Sequence, residues 1–197
     1  MNISTNPTPD TPRRSPNLEP EKVLAAAFDL LDEKGFTGLT LRRLADRLGV
    51  KAAALYWHFE NKQDLINQLA TKIIVDEFKK VKKAMDAADW RGVLKLTATG
   101  LREALQRYRD GALTIASSDL RQSMAMESQH YIVGRLQTEG FSKELAPVAI
   151  FCITRYTMGC VLDEQTDSYH PEEWTSFEEG LELLLDGMEK IRTSSLA

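Results

Sequence analysis

The segment that most constrains the fold is TLRRLADRLGVKAAALYWHF, which runs from Thr40 to Phe59. A helix-turn-helix needs two short helices that cross steeply and are joined by a turn of three or four residues. Ala45 provides a small side chain where the helices must approach, and Gly49 provides a turn residue that tolerates positive φ. Leu55 follows six residues later as an apolar anchor. These fixed offsets predict a helix-turn-helix.

Apolar residues recur at helical spacing along the rest of the chain, and no stretch alternates with period two for long enough to predict a strand. The predicted fold class is therefore all-α. The first helix begins near Glu19 and ends at Gly35, the third spans Ala52 to Phe59, and a long fourth helix follows the capping pair Asn61 and Asp64. Later helices are predicted at about 88–107, 109–118, 120–138, 142–166 and 173–192, with interruptions at Gly100, Gly111, Gly140 and Pro171.

The net charge of −4 argues weakly against a nucleic-acid partner, but the charge is unevenly distributed. Residues 1–66 contain nine basic and nine acidic residues, so the acidic excess lies entirely in the rest of the chain. When the partner is a polyanion, the electrostatic potential at the binding surface matters more than the total charge of the protein. The motif region concentrates five basic residues, namely Arg42, Arg43, Arg47, Lys51 and Lys62.

Residues 1–17 contain four prolines and no apolar periodicity, which predicts a disordered arm whose Arg13 and Arg14 either contact phosphates or stay solvated. No apolar run approaches the roughly 18 residues that cross a bilayer, and the N-terminal residues lack the apolar segment of a signal peptide, so we expect a cytoplasmic protein without a membrane partner. Cys152 and Cys160 would lie roughly 12 Å apart along one helix, too far for a disulfide. Both are expected to be reduced core residues.

The second helix of the motif presents a slim outer face. Lys51 contributes one charge, and Ala52, Ala53 and Ala54 contribute three small side chains. A helix that enters the major groove, which is about 12 Å wide, benefits from small side chains at its N-terminal end. The alternative is an αα-hairpin inside a larger bundle without a nucleic-acid role.

The block from about Val23 to Leu69 resembles the DNA-binding domain of the tetracycline-repressor (TetR) family, especially in LTLRRLADRLGV, ALYWHFENK and DLI. RYRDGA, EGFS and YTMGCVLDEQ resemble segments of the C-terminal domain of tetracycline repressors. The resemblance implies an N-terminal three-helix helix-turn-helix DNA-binding domain at 18–66, after an arm at 1–17. It implies a C-terminal ligand-binding and dimerisation domain at 67–197.

The resemblance also assigns residues to the DNA interface. Tyr56, Trp57, His58 and Lys62 match a set that holds the DNA backbone, although Trp57 could equally be a core residue. The three alanines cannot make bidentate hydrogen bonds to bases, so readout depends on other side chains or on DNA shape, and a tetracycline operator is not expected. An inverted repeat is still expected. The predicted DNA-binding residues are Thr40, Arg42, Arg43, Lys51, Ala52, Ala53, Ala54, Tyr56, Trp57, His58 and Lys62.

The predicted helices at 142–166 and 173–192 carry more apolar surface than one subunit needs, which predicts a four-helix dimer interface. The alternative is that both helices are buried within one subunit. The family's ligand site is altered: Phe78 and Ile115 occupy the histidine positions, Thr97, Leu101 and Asp119 replace other polar or aromatic groups, and Asp163 alone keeps its type. We therefore expect no metal site, no cofactor and no magnesium–tetracycline inducer.

A lipophilic or aromatic small-molecule effector is expected instead, because the available side chains are apolar, aromatic or methionine. The candidate lining residues are Phe78, Leu101, Leu105, Ile115, Met124, Tyr131, Phe151, Tyr156 and Met158. The predicted function is a ligand-responsive homodimeric repressor of a palindromic double-stranded operator. The alternatives are a ligand-independent DNA-binding protein and an activator of the same fold. An enzyme is not expected, because His130 and His170 have no partner motif and His58 lies in the DNA motif.

Overall fold

The computed structural model describes residues 19–121, 123–166 and 176–194, and within these ranges the chain contains helices and no strands. This agrees with the predicted all-α class. The predicted N-terminal arm, Pro171 and His170 lie outside the described residues. The helices are α1 (Pro20–Gly38), α2 (Leu41–Leu48), α3 (Ala52–Leu55), α4 (Lys62–Ala87), α5 (Trp90–Gln106), α6 (Gly111–Ala116), α7 (Ala125–Thr138), α8 (Leu145–Glu164) and α9 (Phe177–Ser194).

The helix-turn-helix is formed by local signals that the sequence carries. The Thr40 hydroxyl accepts a hydrogen bond from the Arg43 amide at 3.2 Å and caps α2. Gly49 adopts a left-handed conformation with φ of 66°, and its amide donates to the Ala45 and Asp46 carbonyls, which ends α2. In α1 the helical backbone is broken at Gly35, where φ is 68°.

The start of α4 is also fixed by the predicted capping pair. The Asn61 side chain accepts from the Asp64 amide at 3.0 Å, and the Asp64 carboxylate accepts from the Glu60 amide at 3.1 Å. These two hydrogen bonds satisfy the backbone N–H groups of Asp64 and Glu60, which have no helical carbonyl to bond to at this end of the helix. α4 then continues for 26 residues and joins the N-terminal and C-terminal parts of the chain.

Two local expectations differ from the structure. Regular α3 ends at Leu55 rather than Phe59, because residues 56–58 form a turn in which the His58 amide donates to the Leu55 carbonyl at 2.8 Å. Gly100 lies inside α5 and does not interrupt it. Its missing side chain instead leaves room for α4, since a Cβ there would lie 3.3 Å from the Glu77 carboxylate and from Val81.

The buried side chains form two clusters. The first holds the helix-turn-helix together and includes Leu44 and Leu55, but it continues into α5, α6 and α8 through Leu105, Ile115 and Val161. The second cluster lies among α4, α5, α7, α8 and α9. The core of the DNA-binding part therefore extends without a break into the C-terminal helices.

α8 is the central helix of the C-terminal part. By length and composition alone it could cross a membrane, with a mean hydropathy of 1.6 over 18 residues, which differs from the expectation that no such stretch exists. However, α8 contacts α5, α6, α7 and α9. Within the chain 39% of this 18-residue segment is buried, and one face of α8, which includes Val148 and Phe151, is left exposed.

Candidate DNA interface and internal cavity

The second helix of the motif is anchored by one face and exposed on the other. Leu55 on α3 and Ala45 on α2 are both buried, and the two helices are in contact. Lys51, Ala52 and Ala53 are exposed, whereas Ala54, which was predicted to face outward with them, is half-buried. This leaves a narrow helix face with small side chains on the surface of the molecule, as the sequence pattern predicts.

The aromatic residues that follow α3 project outward. Tyr56 is 61% exposed and Trp57 is 91% exposed. Such exposure excludes the core interpretation of Trp57, because an indole left in water loses its whole hydrophobic contribution to the fold. His58 is half-buried next to Phe59, with its carbonyl accepting from Gln68 at 3.1 Å. An exposed Tyr-Trp pair beside a slim helix is suited to contact a polar partner.

The predicted basic residues divide into exposed and internally bonded groups. Arg42 is exposed and has no ion-pair partner within the described ranges, so its guanidinium is available to a polyanion. Arg43 donates to the Gly38 carbonyl at 2.9 Å and closes the α1–α2 junction. Lys62 lies over the Phe36 ring, 5.1 Å from its centroid, and its ammonium is 3.4 Å from the Phe36 carbonyl. Arg47 pairs with Glu33 at 2.8 Å.

The loop between α5 and α6 connects the helix-turn-helix to the C-terminal helices. Asp110 adopts a left-handed conformation with φ of 55°, and its carboxylate accepts from the Phe36 amide at 2.7 Å. The Asp32 carboxylate accepts from the Arg109 amide at 2.9 Å. A Cβ on Gly35 would lie 2.8 Å from the Asp110 carboxylate, so glycine is required both by φ and by this contact.

A cavity of about 570 Å³ lies among α4, α5, α6, α7 and α8. Its volume falls within the usual range for small-molecule sites, and its wall is mostly apolar. The residues that α4 and α5 contribute are Ile74, Glu77, Phe78, Val81, Met85, Leu96, Thr97, Gly100 and Leu101. The residues contributed from the remaining chain are Ile115, Ala116, Ser118, Asp119, Leu120, Arg121, Ala125, Met126, Ser128, Gln129, Ile132, Ile150, Phe151, Thr154, Arg155 and Met158.

Five of the nine predicted ligand residues line this cavity, namely Phe78, Leu101, Ile115, Phe151 and Met158. The structure places the other four elsewhere. Leu105 is fully buried in the first core cluster, and exposed Met124 lines a second, more open cavity. Tyr131 turns its hydroxyl outward to Asp86, and the Tyr156 hydroxyl donates to the Phe177 carbonyl at 3.0 Å.

The altered positions of the family's ligand site do meet in the cavity wall. Phe78, Thr97, Leu101, Ile115 and Asp119 all line it, whereas Asp163 is exposed on α8. Hydrogen bonds from Arg121 lower the pKa of Asp119 to about 2. Among the residues with described positions, no group of three or more His, Cys, Asp or Glu side chains is arranged to hold a metal ion.

The cavity also contains polar groups that the sequence interpretation missed. Glu77 is only 7% exposed as a side chain, and one of its oxygens, Oε2, accepts from Lys80 at 3.1 Å and from Arg107 at 3.3 Å. Ser128 on α7 is buried. The missed signal for Glu77 is spacing: it follows Ile73 by four residues and Leu69 by eight, on the buried stripe of α4.

One side of α8 and α9 remains uncovered in the single chain. Val148 and Phe151 on α8 are more than half exposed, and Leu183 on α9 is 74% exposed. The alternative that both helices are buried within one subunit does not fit these exposures. Apolar side chains aligned on two neighbouring helices are typical of an interface between identical subunits.

Comparisons with known proteins agree with this geometry. Residues 23–69 match the family model described as bacterial regulatory proteins, tetR family, and residues 84–176 match that described as tetracyclin repressor-like, C-terminal domain. The tetracycline repressor protein class C of Escherichia coli is 34% identical, with 90% of this chain and 94% of that protein covered.

Two solved structures extend the likeness to the whole fold. The first is TetR-Q116A from Acinetobacter baumannii AYE in complex with minocycline, with a TM-score of 0.79 and 34% identity over 89% of this chain and 99% of that one. The second is BioQ with its double-stranded DNA operator, with a TM-score of 0.70 and 31% identity over 87% and 98%. By sequence, domain order and fold, the chain belongs to the TetR family of bacterial regulatory proteins.

Proposed function

We propose that the chain is a homodimeric transcriptional repressor that binds an inverted-repeat operator and is released by a lipophilic or aromatic small molecule. The observation that carries the proposal is the combination, in one chain, of an exposed recognition helix and a mostly apolar cavity of about 570 Å³. An enzyme would need a nucleophile–base pair or metal cluster instead. We place its action in the cytoplasm, where bacterial DNA is accessible.

The relatives support both halves of this function. BioQ binds a double-stranded DNA operator, and TetR-Q116A binds minocycline. In this chain, Arg42, Lys51, Tyr56 and Trp57 would contact DNA, with the three alanines Ala52–Ala54 facing the bases. A two-fold dimer would present two such helices to successive major grooves.

Selection of binding sites from random double-stranded DNA tests the DNA half. The purified dimer should enrich an inverted repeat, and Trp57→Ala and Arg42→Ala should weaken binding to it. Lys83→Ala removes an exposed cation on α4, outside both the motif and the α8–α9 face, and serves as a control for general effects of charge removal and surface truncation. Failure to enrich any repeat would refute the proposal.

A thermal-shift screen tests the ligand half, with drugs, dyes, fatty acids, plant phenolics and magnesium–tetracycline as the panel. A ligand at 100 times its dissociation constant stabilises the folded state by about 2.7 kcal/mol, which is readily detected. Each stabilising compound is then added to the operator complex, and release is measured by fluorescence anisotropy. If compounds bind without altering operator affinity, the ligand-independent alternative is correct. An activator would bind the same repeat but raise transcription from a reporter promoter.

A further inference from the structure

The Glu77 carboxylate in the cavity wall accepts hydrogen bonds from described residues through one of its two oxygens. Glu77 Oε2 is held by Lys80 and Arg107, but no hydrogen bond to Glu77 Oε1 is formed by any residue within the described ranges. The side chain is 7% exposed, and Glu77 lines the cavity. A ligand group that donates to this carboxylate oxygen forms a charge-assisted hydrogen bond inside a mostly apolar cavity, where such a bond is stronger than one between neutral groups.

The charge around Glu77 determines which kind of donor fits. Two cations, Lys80 and Arg107, lie within 3.3 Å of the second oxygen, so the single negative charge is already compensated. A cationic ligand group at Oε1 would lie close to both of them and be repelled. A neutral hydroxyl forms the same hydrogen bond without that repulsion.

The rest of the wall supports a neutral, ring-sized ligand. Phe78, Leu101 and Ile115 provide apolar surface on three different helices. Ser128 on α7 also lines the cavity and is 5% exposed. A serine hydroxyl can donate as well as accept, so it can complement a carbonyl or ether oxygen of the same ligand.

We infer that the effector is a neutral, hydroxyl-bearing aromatic compound whose hydroxyl donates to Glu77 Oε1. This inference rests on the proposed function, because it specifies the chemistry of the same cavity. Glu77 is a specificity-determining residue that distinguishes a hydroxylated ligand from its deoxy analogue. Gly100 keeps the acceptor open, since a Cβ at that position would lie 3.3 Å from Oε1.

The experiment compares the monohydroxyflavones with unsubstituted flavone and with an aminomethylflavone, by calorimetric titration of the full-length dimer. At least one monohydroxyflavone should bind about 10-fold more tightly than flavone, as expected for a hydrogen bond to a charged acceptor. Glu77→Met should abolish this preference while leaving the affinity for flavone nearly unchanged. The matched control is Lys83→Met, an exposed position on the same helix that does not line the cavity, and it should retain the preference.

Gly100→Ala provides a second variant in case Glu77→Met does not fold. It leaves the carboxylate in place, and its Cβ, which would lie 3.3 Å from Oε1 and from Val81, covers Oε1, so the preference should again disappear. Equal affinities for flavone and every hydroxyflavone, or a preference unchanged in both variants, would overturn the inference. Tighter binding of the aminomethylflavone would overturn the neutral-donor chemistry, and so would failure of every flavone to bind. Operator release by other compounds in the broad screen would leave the proposed function standing in each of these cases.

Discussion

Replacing Asp110 with alanine should destabilise the protein at the junction between the helix-turn-helix and the C-terminal helices. The carboxylate of Asp110 accepts a hydrogen bond from the Phe36 amide at 2.7 Å, across 74 residues of sequence. Asp110 also holds a left-handed backbone conformation, with φ of 55°. Aspartate tolerates this conformation because its short polar side chain bonds locally, whereas alanine does not.

The expected loss has two parts. A hydrogen bond to a charged acceptor contributes about 1.5 kcal/mol when it is partly exposed, as here. Alanine in the left-handed region costs a further 1–2 kcal/mol or so. Together they predict a decrease of about 3 kcal/mol in the free energy of unfolding. Asp110→Asn keeps an acceptor oxygen and tolerates positive φ, so its loss should stay near 1 kcal/mol.

Urea denaturation followed by circular dichroism measures both variants, at a fixed dimer concentration because dissociation is linked to unfolding. Asp32→Ala is the matched control, since it removes the neighbouring junction contact to the Arg109 amide without altering backbone strain. It should cost about 1–2 kcal/mol. A loss below 0.5 kcal/mol or so in Asp110→Ala, or equal losses in Asp110→Ala and Asp110→Asn, would refute this account of the junction.

Three further predictions concern other parts of the chain. Leu55→Ala should lower the free energy of unfolding by about 2–5 kcal/mol in urea denaturation, because Leu55 is fully buried; a loss under 1 kcal/mol or so would show that it does not anchor α3. Lys51→Ala, which removes an exposed cation of the motif, should lower the salt slope of operator binding by about one, and an unchanged slope would remove Lys51 from the phosphate contacts. Burial raises the pKa of Tyr156 to about 12. The contribution of Tyr156 to the free energy of unfolding should therefore be complete below pH 10 or so and be lost as the pH rises towards 12. Tyr156→Phe should flatten that decline in thermal unfolding, and an equal decline in both proteins would contradict it.

The sequence was sufficient to predict the features that depend on local chemistry. Thr40 begins α2 and Gly49 ends it, and Asn61 with Asp64 begins α4. Each of these residues bonds to backbone groups only a few positions away, so the local sequence contains the whole signal. Leu55 as the anchor follows from the spacing of the motif. The end of α3 was less predictable, since an apolar pattern continues to Phe59 while the backbone has already left the helix.

The cavity depends on tertiary packing and was only partly predictable. Periodicity indicates that a side chain faces inward, but not whether it meets a neighbour or an empty space. Leu105 and Tyr156 face inward and pack against protein, whereas Phe78 and Met158 border the cavity. Glu77 was missed because an acidic residue followed by basic ones in DEFKK resembles a solvated helix face.

α4, the helix that contains Glu77, also connects the candidate DNA interface to the cavity. α4 has 26 residues and is therefore about 39 Å long. Near its start, Leu65 and Leu69 lie in the core of the helix-turn-helix, and farther along, Phe78 and Val81 border the cavity. A ligand changes operator affinity only if it binds two arrangements of this helix unequally. To shift the populations of the two arrangements from 1:99 to 99:1, the ligand must bind the favoured arrangement about 10⁴-fold more tightly than the other. Because a dimer offers two cavities, each site needs to discriminate by about 100-fold, which one hydrogen bond to Glu77 supplies only in part. The remainder must come from apolar contacts that α4 makes with the ligand in one arrangement and loses in the other.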